Sequence, residues 1–419
     1  MFILGYHSIT IYSDGITRYF QLKETKVCSQ PVQLSFLLIV ILGAISALTP
    51  IAIDMYLPAM PSIAREFTVT AGDIQITLTA YTAGFALGQL LHGPLADSYG
   101  RKPVLLMGTL LFALASVFSA LSSSIEMLTW MRIAQGFSGA AAAVVIQAIV
   151  RDMFEKEEFA RTMSFIVLVM TLAPLVAPLV GGYIASWFGW RSIFWLITLI
   201  ALLVIVAISL KIPETLAIEK RQPFRLRSIL RNYRSLLVST DAMLLILIGA
   251  FSFSGMFAFL TAGSFIYIEL YGFDIEHVGY LFALNVVSMM IMTTVNGRLV
   301  REKGSQWMVK LGLTMQLIAA ALLLFGQIFH LGLWGVVIPV MLYVSTISTV
   351  GSNTMAILLS DYPNIAGTAS SLAGTLRFGL GALAAAIISF LPATSSWPMV
   401  IVMCSCASLS MLFFLLRTK

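Results

Sequence analysis

The chain has 419 residues, of which 59% are hydrophobic and only 11% charged, and its mean hydropathy is +0.94. A soluble protein carries about 25% charged residues, so this composition excludes a chain that covers itself with polar surface and indicates that its solvent is lipid. The net charge of +6 is better explained by basic residues gathered on one side of a membrane than by nucleic-acid binding, and we expect no nucleic-acid partner.

Residues 1–33 are mixed in character, with a moderately apolar stretch followed by charged residues. A secretory signal has the reverse order, with basic residues first. We therefore predict a cytoplasmic N-terminal tail over 1–33 and assign it no function. The three cysteines form no disulfide framework, zinc spacing or redox motif, so no metal site is expected.

Twelve apolar runs follow the tail, and each is about as long as a membrane-spanning helix. They lie at roughly 34–57, 74–92, 103–122, 127–150, 163–185, 191–211, 241–269, 278–298, 306–326, 334–359, 365–391 and 397–416. The sequence predicts an all-α membrane protein with twelve transmembrane helices in two six-helix bundles. The bundles are an N-terminal one over 34–211 and a C-terminal one over 241–419, joined by a cytoplasmic linker over 212–240.

Basic residues set the predicted orientation of these helices. With the amino terminus inside, the inner loops carry nearly all the lysines and arginines, and the outer loops hold only Arg65 and Arg191. We expect a multi-pass protein with both termini in the cytoplasm. The basic run in the linker is interpreted as an anchor to anionic lipid.

A Gly-rich turn with basic residues occurs after the second helix, at 93–103, and again after the eighth, at 296–304. Two repeated bundles with a site between them are typical of secondary transporters. The fifth helix holds Pro174 and Pro178 followed by Gly181 and Gly182. These four residues indicate a hinge or a closely packed interface, because proline removes a backbone donor and glycine lets another backbone approach.

Among the few ionisable residues within the spans, three are candidates for function: Asp54, Arg132 and Arg377. A charge at the bilayer centre costs about 2.5–3.5 kcal/mol on insertion scales, so each should face a cavity or a partner. Asp54 and Arg132 sit at similar depth and could pair. Burial favours the neutral acid whereas a nearby arginine favours the carboxylate, and this competition would let Asp54 load and release a proton. The alternative is a permanent ion pair that only locks the bundle.

Arg377 has no acidic residue at matching depth in the second half of the chain, and Asn285 could accept part of its hydrogen bonding. It is either a cation that faces substrate or a structural arginine bonded to carbonyl groups. The stretch around 251–259 is rich in phenylalanine and methionine, which suits a promiscuous apolar pocket. The candidate pocket residues are Tyr56, Tyr81, Gln135, Met256, Phe259 and Asn285.

Several of these motifs resemble those of the major facilitator superfamily. The turn at 93–103 resembles its loop 2–3 signature. Residues 177–182 resemble its fifth-helix antiporter motif, although Ala177 stands where glycine is usual. Asp54 matches the first-helix acidic position of the twelve-helix drug:proton antiporters. The stretches 53–59, 84–90, 221–224 and 366–375 resemble the bicyclomycin-resistance (Bcr/CflA) family.

The resemblance implies that Asp97 closes the cytoplasmic side by meeting the amino-terminal end of helix eleven, near Gly367. Arg101 would hold Asp97 in place, and Gly93 and Gly100 would shape this conformational gate. It also implies a monomeric, proton-coupled multidrug efflux transporter in the bacterial inner membrane. Such a protein would export bicyclomycin-like and other small drugs by alternating access, with no cofactor besides the proton gradient.

Two alternatives remain open at this stage. The same fold could take up or export a small nutrient or metabolite, with proton coupling. A non-transporting sensor would be expected to carry a folded extramembrane domain, and no connection here is longer than about 30 residues. The sequence shows no Ser-His-Asp set, metal cluster or phosphate-binding glycine loop, so we do not expect an enzyme.

Overall fold

The computed structural model describes residues 36–154, 156–221 and 226–417, and the regular structure in these ranges is helical throughout. The predicted tail over 1–33 lies outside the described residues. Twelve long helices run in chain order: α1 (Leu37–Phe67), α2 (Ala71–Tyr99), α3 (Arg101–Ala120), α4 (Ile125–Met153), α5 (Lys156–Phe188), α6 (Arg191–Lys211), α7 (Thr240–Leu270), α8 (Ile275–Lys303), α9 (Ser305–Ile328), α10 (Trp334–Asp361), α11 (Ala366–Ser389) and α12 (Trp397–Arg417).

Within the described ranges, eleven of these helices are long and apolar enough to cross a membrane. The remaining one, α2, has 29 residues and contains no stretch as apolar as those of the other eleven. The predicted all-α membrane fold is thereby confirmed. Regular helix in α1 stops at Asp54 and resumes at Met60, after a single 3-10 turn at Leu57–Ala59. Pro58 in that turn has no backbone N–H to continue the α-helical bonding.

Glycines allow α2 and α4 to pack closely inside the first half of the chain. A Cβ at Gly84 would overlap the backbone at Ile133, and one at Gly136 would overlap the backbone at Tyr81. Lipid chains are as apolar as leucine, so helices in a membrane associate through close packing, and small residues make that possible.

Contact between the first six and the last six helices is concentrated in two pairs, α2 with α11 and α5 with α8. The second helix of each half therefore packs on the fifth helix of the other half. This arrangement fits the repeat suggested by the two Gly-rich turns. The boundaries at 34–211 and 241–419 stay a prediction.

We call the end of the molecule where α2 meets α3 the linker end, and the opposite end, with the α5–α6 turn at Gly189, the far end. The far end is closed by α5 and α8. The hydroxyls of Tyr183 and Tyr280 lie 3.1 Å apart, and Ser186 Oγ donates to Glu276 Oε1 at 2.7 Å.

The proline and glycine residues of α5 lie in this closed region or next to it, toward the linker end. Helix α5 runs unbroken through Pro174 and Pro178. A Cβ at Gly181 would overlap the backbone of Met55 on α1, and one at Gly182 would lie 2.8 Å from the carbonyl oxygen of Ile275 on α8. The sequence left open a hinge or a closely packed interface, and the structure places the two glycines at a closely packed interface.

A helix in the linker, Leu226–Val238, packs on the second half of the chain. The start of the linker is held by the first half instead. Glu214 is buried there, and its Oε1 accepts from the backbone N–H of Arg101 at 3.0 Å. The linker thus contacts both halves at the linker end.

Gly100 makes the turn between α2 and α3 with φ +104°, a backbone conformation that residues other than glycine rarely adopt. A Cβ there would also overlap the Glu214 carboxylate. We expect Gly100→Ala to lower the free energy of unfolding by about 1–2 kcal/mol. The measurement is the thermal unfolding midpoint of the purified protein in detergent.

Gly93→Ala is the matched control, because Gly93 is helical and a Cβ there would lie 3.6 Å from Val144, an ordinary contact distance. An unchanged midpoint for Gly100→Ala, or an equal loss in both variants, would contradict this account of the turn.

Candidate functional site

A cavity of about 1410 Å³ lies between the two halves of the chain. Its walls come from α1, α2, α4 and α5 on one side and from α7, α10 and α11 on the other. Asp97, Arg151, Tyr233 and Pro363 line its mouth at the linker end. Because the far end is closed by α5 and α8, the cavity is accessible from the linker end only, as far as the described residues show.

Asp54 lies at the end of the regular helix in α1 and lines this cavity. It is 8% exposed, and no hydrogen bond or ion pair to its carboxylate is found among the described residues. A buried carboxylate without a partner is costly. It is therefore placed to gain a proton or a cationic group that enters the cavity.

Arg132 does not pair with Asp54, so the ion pair considered from the sequence is absent from the structure. Its guanidinium carbon lies 4.6 Å from the ring centroid of Tyr56 and 4.4 Å from that of Tyr81. Nη1 donates to the carbonyl oxygen of Ala52 at 3.2 Å and to Gln135 Oε1 at 2.6 Å. Aromatic faces and neutral oxygens replace the expected carboxylate, and they hold the cation inside the first half.

Of the six predicted pocket residues, only Met256 lines the cavity. Tyr56, Tyr81 and Gln135 are fully buried around Arg132, and Tyr56 Oη also bonds Thr77 Oγ1 at 2.6 Å. None of the three lines the cavity in this conformation. They come from three different helices, α1, α2 and α4, and all three are directed toward Arg132 inside the first half of the chain.

Phe259 and Asn285 are likewise buried away from the cavity. The Phe259 ring packs against Phe282 with centroids 5.2 Å apart. Asn285 Nδ2 donates to the carbonyl oxygen of Leu281 on its own helix, at 2.9 Å. Asn285 therefore does not accept from Arg377, as had been considered, because its amide is directed along α8.

Arg377 does line the cavity, from the second half of the chain. Its guanidinium carbon lies 3.9 Å from the ring centroid of Phe253. Phe378, the next residue, has its ring 4.4 Å from that of Phe85 on α2 and 5.1 Å from that of Phe253. Sequence analysis missed Phe85 and Phe378, although the position of Phe378 directly after a buried arginine was an available signal.

The gate residues meet at the linker end of the first half. Arg101 Nη1 bonds Asp97 Oδ1 at 2.5 Å, and Arg101 Nε bonds Asp152 Oδ2 at 3.3 Å. With Glu214 on its backbone N–H, Arg101 has three carboxylates around it. No hydrogen bond joins Asp97 to the start of α11 among the described residues, which is consistent with a cavity open at this end.

Tyr233 in the linker helix was also missed from the sequence. Its Oη lies 3.0 Å from Ser371 Oγ on α11 and donates to the carbonyl oxygen of Leu90 on α2 at 3.5 Å. Burial raises the pKa of this phenol, which keeps it neutral and able to donate. The residue connects the linker helix to both halves beside the cavity mouth.

The sequence pattern of the Major Facilitator Superfamily matches residues 42–386. The chain belongs to this superfamily. Its fold agrees with solved transporters: the human organic anion transporter MFSD10 covers 91% of this chain with a TM-score of 0.66 and 21% identity. The D-xylose-proton symporter covers 90% with a TM-score of 0.70 and 16% identity. In both cases 98% of the solved chain is matched.

Curated relatives are closer in sequence. The bicyclomycin resistance protein homolog of Haemophilus influenzae is 38% identical over 92% of this chain and 97% of its own length. The chloramphenicol resistance protein of Pseudomonas aeruginosa is 30% identical over 87% of this chain and 86% of its own length. The predicted resemblance to the bicyclomycin-resistance family is confirmed, and the chain is a multi-pass membrane protein of a transporter family. No cluster of metal-ligating side chains occurs among the residues that the structure describes.

The two partners in the Asp97–Arg101 pair are expected to differ in their effect on folding. The Asp97 side chain is 51% exposed and the Arg101 side chain 6%. An exposed ion pair contributes about 0–1 kcal/mol, so Asp97→Asn should leave the thermal unfolding midpoint nearly unchanged. Arg101→Gln would remove the buried guanidinium that pairs with Asp97 and Asp152, and it should lower the midpoint by several degrees or prevent folding.

Both variants are measured by detergent-based thermal unfolding, with expression level as a second readout. Equal midpoints for the two variants would show that Arg101 is not the centre of this cluster.

Proposed function

We propose that this protein is a proton-coupled multidrug efflux transporter that exports bicyclomycin-like and other small drugs by alternating access. The observation that carries the proposal is Asp54, a buried carboxylate without a partner in a cavity between two halves of a transporter fold. The resistance proteins that resemble the chain over most of its length support export of drugs.

In the proposed cycle, drug enters the cavity from the linker end, which we place in the cytoplasm together with both termini. The halves then rock so that the linker end closes and the far end opens. A proton from outside binds Asp54 and competes with the drug, which leaves outward. The protonated carrier returns, and loss of the proton to the cytoplasm resets it. The proton gradient of the bacterial inner membrane supplies the energy, without a cofactor.

In this scheme Arg132 acts by holding the backbone of α1. Its hydrogen bond to the Ala52 carbonyl holds α1 two residues before Asp54. It is thus a positioning residue for the proton site, and this role does not require Arg132 to line the cavity.

Closure of the linker end is assigned to Asp97. An anion at a helix amino terminus is stabilised by about 0.3–1 kcal/mol, and Asp97 and Gly367 both line the cavity mouth. When the halves approach there, the carboxylate reaches the start of α11 while Arg101 holds it. The protein acts as a monomer in this proposal, since the cavity is formed within one chain.

Asp54→Asn tests the function directly. An exporter-deficient bacterium expressing the wild type should tolerate and expel bicyclomycin, and an uncoupler should abolish this efflux. Asp54→Asn should reduce efflux to background at equal expression, because an amide cannot take up and release the coupling proton. Efflux rate and drug tolerance are the two measurements.

Asp274→Asn is the matched control, since Asp274 has a highly exposed carboxylate at the far end, outside the cavity. It should behave as wild type. Full uncoupler-sensitive efflux in Asp54→Asn would remove Asp54 from the mechanism. Absence of tolerance in the wild type across a broad drug panel would instead favour a carrier of a nutrient or metabolite.

A further inference from the structure

Arg377 is a cation in the cavity wall without an acceptor. None of the described residues accepts a hydrogen bond from its guanidinium, and its Nε is buried without a partner. A charged group removed from water is costly unless it is paired and hydrogen-bonded. Two groups that lie against it, the ring of Phe253 and Gly351, accept no hydrogen bond from it.

These two neighbours restrict the orientation of the guanidinium group. The Phe253 ring lies on one side, with its centroid 3.9 Å from the guanidinium carbon. Gly351 on α10 lies against the group as well, since a Cβ there would be 3.3 Å from Nη1 and 3.4 Å from Nη2. A planar, fixed guanidinium can donate two parallel hydrogen bonds to a carboxylate-like group. The chain thus presents an oriented fork of donors to the cavity.

An aromatic wall adjoins this fork. The rings of Phe85, Phe253 and Phe257 surround that of Phe378, with centroids 4.4, 5.1 and 6.0 Å from it. All four side chains line the cavity. Aromatic rings prefer offset or edge-to-face contact with another ring. A planar aromatic group of a ligand would therefore fit beside them.

Gln89 on α2 adds a second polar group without a partner. Its Oε1 is buried and unbonded, and its amide lies next to Gly374, one turn before Arg377 on α11. An amide can offer either an acceptor or donors. It faces the cavity from the half of the chain opposite to Arg377, so one ligand could contact both halves.

We propose that Arg377, Gln89 and the four phenylalanines form a subsite for an aromatic group that carries an anionic oxygen acceptor, such as an aryl carboxylate. The proposal rests on the proposed function in that it names a substrate class for the same cavity. Arg377 binds the anionic oxygens, the phenylalanines contact the ring, and Gln89 bonds a further polar atom.

The test uses three naphthalene probes of similar size and different charge: 2-naphthoate, 2-naphthamide and 2-naphthylmethylammonium. Binding to the purified full chain in lipid nanodiscs is measured by titration calorimetry at neutral pH, with empty nanodiscs subtracted. The wild type should bind naphthoate more tightly than the uncharged naphthamide. The ammonium probe can bind the Asp54 carboxylate in the same cavity, so it measures that contribution separately. Equal affinity for naphthoate and naphthamide, or tighter binding of naphthamide, would overturn the proposal.

Arg377→Gln should weaken naphthoate about 10- to 100-fold, the range expected for hydrogen bonds to a charged group, and leave naphthamide within about threefold. Arg377→Lys should lie between, because lysine keeps the charge and loses the planar fork. Arg65→Gln, which removes a far-end arginine that donates only to its own helix at Pro61, should match the wild type. Unchanged naphthoate binding in folded Arg377→Gln would overturn the proposal, and the wild-type ranking decides if that variant does not fold.

Binding needs no transport, so this experiment is independent of the efflux assay. Arg377-dependent naphthoate binding without any drug efflux would leave the subsite standing and remove the proposed function. Drug efflux with no preference for naphthoate would support the proposed function and remove the subsite.

Discussion

A charge inside a bilayer is tolerated only where neighbouring helices or a water-filled cavity stabilise it, and this constraint organises the molecule. The three ionisable residues foreseen within the spans meet it in three ways. Arg132 is enclosed by aromatic rings and neutral oxygens. Asp54 and Arg377 face the cavity, and no hydrogen-bond partner of either side chain occurs among the described residues. The first arrangement holds helices together, whereas the other two leave binding capacity for a proton and a ligand.

The way the halves touch determines how they can move. Each contributes its second helix to a pair with the fifth helix of the other, so α2–α11 and α5–α8 form equivalent seams. The α5–α8 seam is tight at the far end, where Gly182 and Gly279 let the two backbones meet. In the proposed cycle, rocking about such seams would exchange which end is closed while each half stays packed.

The fold was predictable because hydropathy and basic-residue placement report directly on lipid exposure, and α1 to α12 fall where the apolar runs do. Asp54, Arg377 and Met256 were also placed in the cavity from the sequence. Tyr56, Tyr81 and Gln135 lie around Arg132 and not in the cavity wall. The sequence of a single helix cannot say whether a side chain meets a neighbour inside one half or the cavity between the halves. Tyr233 and Phe85 escaped notice for a related reason: their contacts join segments far apart in sequence, which no local pattern reveals.

The polarity of α2 has a consequence for how the protein is made. The most apolar stretch of this helix is less hydrophobic than those of the other eleven, so it gains less than they do by partitioning into lipid. Its polar face is covered by α4 and, at Gly72 and Gln89, by α11. Synthesis reaches α11 only after the eight helices α3 to α10 have been made, so until then the face of α2 that α11 covers has no partner from its own chain. The surroundings of α2 are thus completed by the second half, and the same association of the halves forms the cavity.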